Sequence, residues 1–363
     1  MAENRIQLNF YDCTHVYYKD SSCQKCVDVC PVENTVVYED EKIKVNLETC
    51  VSCGACVGVC PTEAFSLRGF DTKEAYENIL KNNETVISCK YNVPCASVFD
   101  VQYLISLVLK SEIDIKIDLG YCSECQIGVL RKEIERKINE ANYFLESIGI
   151  SNRVIGEEIR FQKEEKEVKS KERRSFLKRF GKTTAGLAFW ALVPKVEFLE
   201  DKEREEPKNI VQEKVLPEKR IVLLEALKEK DIDYSDKEVL VDKISFTSDK
   251  WIDNYKCTNC SVCYNVCPTG ALRPGEGRLK ILFEPALCIK CRICHEVCPE
   301  DCLHLSEKLN IKTFLNETKI LAEHVMIACE ECLIPFSYKG DSTVCPRCRQ
   351  LDDEIRDLLQ IGE

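Results

Sequence analysis

Residues 257–268 read CTNCSVCYNVCP and residues 288–299 read CIKCRICHEVCP, two copies of the spacing CxxCxxCxxxCP with twenty residues between Cys267 and Cys288. Three thiolates on so short a loop can wrap one iron–sulfur cube, and the fourth cysteine of each run reaches the other cube. The spacing therefore predicts that Cys257, Cys260, Cys263 and Cys298 hold one [4Fe–4S] cluster. Cys288, Cys291, Cys294 and Cys267 are expected to hold a second. Pro268 and Pro299 set the backbone just after each crossing cysteine and remove an N–H that would otherwise need a partner. Zinc and disulfides are the competing explanations, but zinc sites use pairs of CxxC rather than runs of four.

The pattern resembles bacterial dicluster ferredoxins, and the resemblance implies one-electron transfer by fully ligated cubes. Near the N-terminus it recurs imperfectly, as SSCQKCVDVCP with Cys23, Cys26 and Cys30, and TCVSCGACVGVCP with Cys50, Cys53, Cys56 and Cys60. Asp20 stands three residues before Cys23, where a first cysteine belongs, while Cys13 is separated from Cys23 by the nine residues THVYYKDSS. Cys13 can close the cube across a bulged loop, Asp20 can ligate through oxygen, or the cluster can lose an iron. Thiolate is the softer ligand, which favours Cys13. The expected sets are Cys13, Cys23, Cys26 and Cys60, and Cys50, Cys53, Cys56 and Cys30. His15 reads as a loop residue. Between the runs, NTVVYEDEKIKVNLE alternates about an acidic turn, as a hairpin does. Val27, Val29, Val57 and Val59 are expected to wall the cubes from water.

Composition narrows the setting. The 363 residues have room for two or three domains. Twenty-five cysteines, an odd number set mostly in ligand runs, argue against a secreted disulfide scaffold and for a reducing compartment. A net charge of −11 speaks against nucleic acid as a partner and suits a carrier that docks on basic patches. The opening MAENRIQLNFYD lacks the basic region and apolar core of a signal peptide, and no apolar run approaches the ~20 residues that span a bilayer. A cytoplasmic location follows as the expectation.

Residues 72–160 change character. ETVISC ends one apolar run at Cys89, and IDIKIDLGYCSEC ends another at Cys122 and Cys125; helical periodicity fills the stretch between and follows after. Strand, helix, strand, helix with a right-handed crossover makes the strands parallel and brings both carboxyl ends to one edge. Cys89, Cys95, Cys122 and Cys125 are expected to converge there on a metal or cluster; alternatively Cys89 and Cys95 are small apolar filler and only CSEC is reactive. The layout is similar to the small cysteine-bearing α/β modules fused to polyferredoxins and hydrogenase-linked electron-transfer proteins. Residues 161–250 read as a charged connector. Within it, seven basic residues stand against Glu172 between Lys169 and Lys182, and RRSFLK followed by TTAGLAFWALVP resembles a twin-arginine export signal. Its internal position opposes export, leaving an amphipathic helix that packs, docks a partner or touches the inner membrane face. Cys302 reads as filler. Cys329, Cys332, Cys345 and Cys348 form two CxxC turns twelve residues apart, resembling a zinc ribbon or rubredoxin; structural zinc is favoured over iron.

The expected fold is α+β: a dicluster ferredoxin domain at 1–71, the α/β module at 72–160, the connector at 161–250, a second ferredoxin domain at 251–310 and a zinc-ribbon-like knuckle at 311–363. The expected function is electron transfer through about four [4Fe–4S] clusters, as a polyferredoxin or as the iron–sulfur subunit of a larger redox complex with dehydrogenase, hydrogenase or reductase partners. No Gly-rich dinucleotide loop and no Ser, His, Asp constellation is present, so no catalytic residue is assigned. The rivals are a redox enzyme with a catalytic cysteine or cluster in the middle module, and a redox-sensing or assembly factor. Respiratory four-cluster subunits interleave their octets in one compact domain, whereas 196 residues separate Cys60 from Cys257 here.

Overall fold

The computed structural model describes residues 6–159 and 214–358. The twin-arginine-like run at 173–193 lies outside the described residues.

The first segment runs β1 (Ile6–Leu8), α1 (Thr14–Tyr17), α2 (Lys25–Asp28), β2 (Val36–Glu39), β3 (Lys42–Val45), α3 (Ala55–Val59) and β4 (Phe65–Leu67). β1 and β4 pair antiparallel with Ile6 opposite Leu67, so the segment closes on itself and each cysteine loop feeds a one-turn helix. The β2–β3 hairpin turns at Asp40 and Glu41, both at positive φ, as a two-residue turn between twisted strands requires.

Next come α4 (Thr72–Lys81), β5 (Val86–Ile87), α5 (Val101–Ser111), β6 (Ile115–Asp118), α6 (Arg131–Ser147) and β7 (Val154–Glu157). β5, β6 and β7 form a parallel sheet in that order, β7 being a third strand that the apolar runs had not signalled. α5 is apolar on most of its circumference and buried from Val101 to Leu109, which makes it the central helix of the molecule. Asp100 caps it, accepting from the Gln102 N–H at 2.9 Å.

The connector expected at 161–250 ends earlier than its composition suggested. α7 (Glu218–Lys228) packs on α5 and buries Val222, Leu223, Ala226 and Leu227, while β8 (Glu238–Leu240) pairs with a strand seventy residues further on. Each of the three large apolar side chains contributes about 2 kcal/mol of gross burial. Composition misleads here because two of the helix's charges are themselves buried: Lys219 and Arg220 turn inward and find partners across the fold.

The remainder is β9 (Lys250–Ile252), α8 (Val262–Asn265), β10 (Leu272–Pro274), β11 (Lys280–Phe283), α9 (Ile293–Glu296), β12 (Leu303–Leu305), β13 (Lys308–Asn310), α10 (Ile311–Asn316), β14 (Lys319–Glu323), β15 (Val325–Ala328), β16 (Pro335–Tyr338) and α11 (Pro346–Leu358). β9 and β12 close this segment as β1 and β4 close the first. β13 pairs with β8, α10 buries Ile311 and Phe314 in the main core, and β14 adds a third strand to the β10–β11 hairpin. The separate knuckle therefore begins near Val325 rather than at 311.

The two cysteine-rich halves, far apart in sequence, lie in one compact unit. The Ser22 N–H donates to Glu296 Oε2 at 3.2 Å and its hydroxyl to Oε1. Arg220 is solvent-inaccessible and acts as the hub, donating to Gln102 Oε1 (2.6 Å) on α5 and to the carbonyls of Ala286 (2.8 Å), Cys288 (2.9 Å) and Phe246.

Candidate metal centres

Three of the four cysteine loops share one backbone device. The residues on either side of the second cysteine take the left-handed conformation: Ser52 and Gly54 about Cys53, Asn259 and Ser261 about Cys260, Lys290 and Arg292 about Cys291. Such a conformation costs a non-glycine residue about 1 kcal/mol or more, and it turns successive N–H groups toward one concave face that suits an anion. The N–H groups of Asn259, Lys290 and Ala55 accordingly donate to the sulfurs of Cys257, Cys288 and Cys53, each two residues back.

The remaining loop is built differently. Gln24, the counterpart of Gly54, has φ −125°. Cys13 supplies what that loop lacks: it is buried, its sulfur receives the His15 N–H two residues on, and it lies against the thiols of Cys60 and Cys23. Asp20 is exposed. His15, read as a loop residue, is instead the clasp that folds the nine-residue bulge back. Its buried ring reaches the carbonyls of Cys23 (2.9 Å) and Lys19 (3.3 Å) and stacks on Tyr38 at 4.4 Å.

Four groups of thiols result. Cys26 feels the charges of Cys60, Cys23 and Cys13. Cys30, Cys50, Cys53 and Cys56 line one small cavity; Cys267, Cys288, Cys291 and Cys294 another; and Cys257, Cys260, Cys263 and Cys298 a third. The first of these cavities is walled by Ile6, Val32, Val36 and Val45, whereas Val29 and Val59 face a separate cleft of about 560 Å³. A family model described as the 4Fe–4S dicluster domain matches residues 4–64, and a second of the same description matches residues 256–303. The chain carries two 4Fe–4S dicluster domains. No curated protein matches the chain significantly.

The two dicluster domains abut so that their cysteine groups follow one another. Cys26 lies near Cys56 and Cys263 near Cys294, each joining the two groups of its own domain. Cys23 of the first domain and Cys291 of the second line one cleft between them.

Their electrostatics differ. At Cys26 and Cys56 burial and then the neighbouring thiolates all push the thiol upward. Burial acts the same way on Cys288, yet its pKa is lowered, because the Lys250 ammonium, the Ser248 hydroxyl at 3.3 Å, the Lys290 N–H and the Arg220 guanidinium all favour the thiolate. Lys250 is 5% exposed and its Nζ stands 3.4 Å from Cys294 Sγ. Burial alone would lower Lys250, but the charges of Cys288, Cys294 and Cys291 outweigh it and hold the ammonium above the usual lysine range. Nothing in the motif spacing announces this lysine.

Cys329, Cys332, Cys345 and Cys348 come together with their ligand atoms within 4.8 Å of one another. The β15–β16 hairpin carries the first pair and α11 starts beside the second. Cys332 Sγ and Cys345 Sγ are 3.8 Å apart, the edge of a tetrahedron with metal–sulfur bonds of ~2.3 Å. Backbone N–H groups of Cys332 and Cys345 pull the Cys329 thiol down to about 6, ready to ligate at neutral pH. Cys302 departs from the filler reading: it is buried with its sulfur 3.5 Å from Cys298 Sγ, a fifth thiol at that centre. Cys89, Cys95, Cys122 and Cys125 gather at the carboxyl edge of the parallel sheet, where Cys89 feels Cys95 and Cys125, and Cys122 feels all three other thiols. Among the described residues, no helix is long and apolar enough to cross a membrane.

Proposed function

We propose that this chain is a one-electron carrier with four [4Fe–4S] clusters in line, working as a polyferredoxin or as the iron–sulfur subunit of a larger redox complex. The ligand sets are Cys30, Cys50, Cys53 and Cys56; Cys13, Cys23, Cys26 and Cys60; Cys267, Cys288, Cys291 and Cys294; and Cys257, Cys260, Cys263 and Cys298. The clusters supply one-electron steps. The protein's own residues bury each set, direct N–H groups at the sulfurs and hold neighbouring sets in contact. The ribbon quartet offers four protein thiolates and no open position, which suits structural zinc. The partners in this reading are redox proteins.

One observation carries the reading: two domains with 196 residues between Cys60 and Cys257 dock with Cys23 and Cys291 on one cleft, joined by Ser22 to Glu296 and through α7, whose Lys219 donates to the Cys60 carbonyl and Arg220 to the Cys288 carbonyl. Two independent ferredoxins on a tether need no such interface. Anaerobically purified protein should contain at least about sixteen iron, matching sulfide and about one zinc. About eight iron would overturn the four-cluster reading.

A further inference from the structure

β5 ends at Ile87 and β6 at Asp118; because the two are parallel, the loops that follow leave from one edge. They are clamped together there. Ser88 Oγ donates to Asp118 Oδ2 at 2.7 Å, and Lys90 Nζ sits 4.6 Å over the Tyr121 ring, so Cys89 is held beside Cys122. The Cys122 turn is tight, its carbonyl accepting from the Cys125 N–H at 3.3 Å, and Gly128 backs onto that carbonyl so closely that a Cβ there would lie 2.2 Å away. Cys95 arrives on a third strand of chain, its sulfur receiving the Ser97 hydroxyl at 3.2 Å.

The spread of these thiols separates a cluster from a single ion. Two thiolates on one zinc at ~2.3 Å can stand no farther apart than about 4.6 Å. Among the described residues only the ribbon quartet brings three or more ligand atoms within 4.8 Å. The middle quartet, like the dicluster quartets, therefore lies too far spread for one ion, and a cluster whose sulfurs attach to different irons fits it.

Its location supplies a second, independent observation. The turn after Cys95 packs directly on α3, where a Cβ on Gly58 would lie 2.2 Å from the Ser97 carbonyl. Gly58 follows Cys56 by two residues and Ser97 holds the Cys95 sulfur, so the two cysteine groups adjoin. On the outer side Cys89 and Cys125 are exposed.

We infer that Cys89, Cys95, Cys122 and Cys125 ligate a fifth iron–sulfur cluster, placed against the Cys30, Cys50, Cys53 and Cys56 centre, where a one-electron carrier protein exchanges electrons with the chain. The exchange moves one electron and no atom: the carrier is oxidised by one electron as the chain is reduced by one, or the reverse. The relay role rests on the electron-carrier reading above; the cluster itself does not.

Iron, sulfide and zinc are counted in the anaerobically purified full chain and in the Cys89→Ser, Cys125→Ser double variant. The expected counts are about eighteen iron for a two-iron cluster or about twenty for a four-iron cluster, falling in the variant to about sixteen, with zinc constant at about one. Sixteen iron in the wild type, or about two zinc falling to one, overturns the fifth cluster whatever the variant does. Eight iron would instead sink the four-cluster reading. Reduction by a reduced bacterial-type ferredoxin should slow at least tenfold in the double variant while dithionite still reduces the remaining clusters; an unchanged rate overturns the relay role.

Discussion

Replacing Lys250 by methionine should lower the reduction potential of the cluster proposed at Cys267, Cys288, Cys291 and Cys294 by roughly 100 mV. The ammonium lies 3.4 Å from Cys294 Sγ in a site that excludes water. The electron added on reduction spreads over the cube behind that sulfur, so about 7 Å is a working separation; at an effective dielectric of about 20, unit charges there attract by about 2.4 kcal/mol. A tenfold change in equilibrium is about 1.4 kcal/mol, or 59 mV for one electron, which converts that attraction to roughly 100 mV. Methionine keeps the volume of the lysine stem against Phe283, whose ring lies 5.0 Å from Nζ. Anaerobic potentiometric titration followed by electron paramagnetic resonance reads the shift, with the wave assigned by its loss in Cys291→Ser. Lys250→Arg should restore most of the potential. If Lys250→Met retains its iron and the wave moves by less than about 20 mV, the claim that this lysine sets the cluster's potential is wrong.

Cys13→Ala should convert one N-terminal cube to a three-iron form, visible by electron paramagnetic resonance in the oxidised protein, while Asp20→Ala leaves the spectrum unchanged; the opposite pattern would give the ligand role to Asp20. Arg220→Met strands the carbonyls of Phe246, Ala286 and Cys288 and should destabilise the fold by about 3 kcal/mol in anaerobic denaturant titration, with a loss under about 1 kcal/mol counting against the hub. Burial lowers His324 to about 4 from its ordinary 6.5, and Ser337 Oγ lies 2.8 Å from its Nδ1. The folded ring stays neutral while the unfolded one takes up a proton, so its contribution is full above pH 6.5 and is lost as pH falls toward 4. His324→Phe should flatten that part of the pH dependence of zinc release, and an unchanged slope would show that His324 does not carry it.

The sequence by itself determined the chemistry that is local in the chain. CxxCxxCxxxCP at 257–268 and 288–299 and the CxxC pairs at 329–348 place cysteines within a few residues of one another, so their spacing states the loop geometry and most of the thiol groupings. The apolar periodicity of α5 and α6 and the strand ends at Cys89 and Cys122 were legible for the same reason. Tertiary structure decided what depends on partners far along the chain. Cys13, favoured over Asp20 on softness alone, reaches Cys23 and Cys60 because His15 clasps the bulge; α7 belongs to the core because Lys219 and Arg220 find acceptors more than sixty residues away. Lys250 meets the Cys294 sulfur only when β9 and β12 pair. Charge composition describes a residue's preference for water, whereas burial of a charge depends on whether the rest of the fold brings it a counter-charge or a carbonyl, and no local pattern records that.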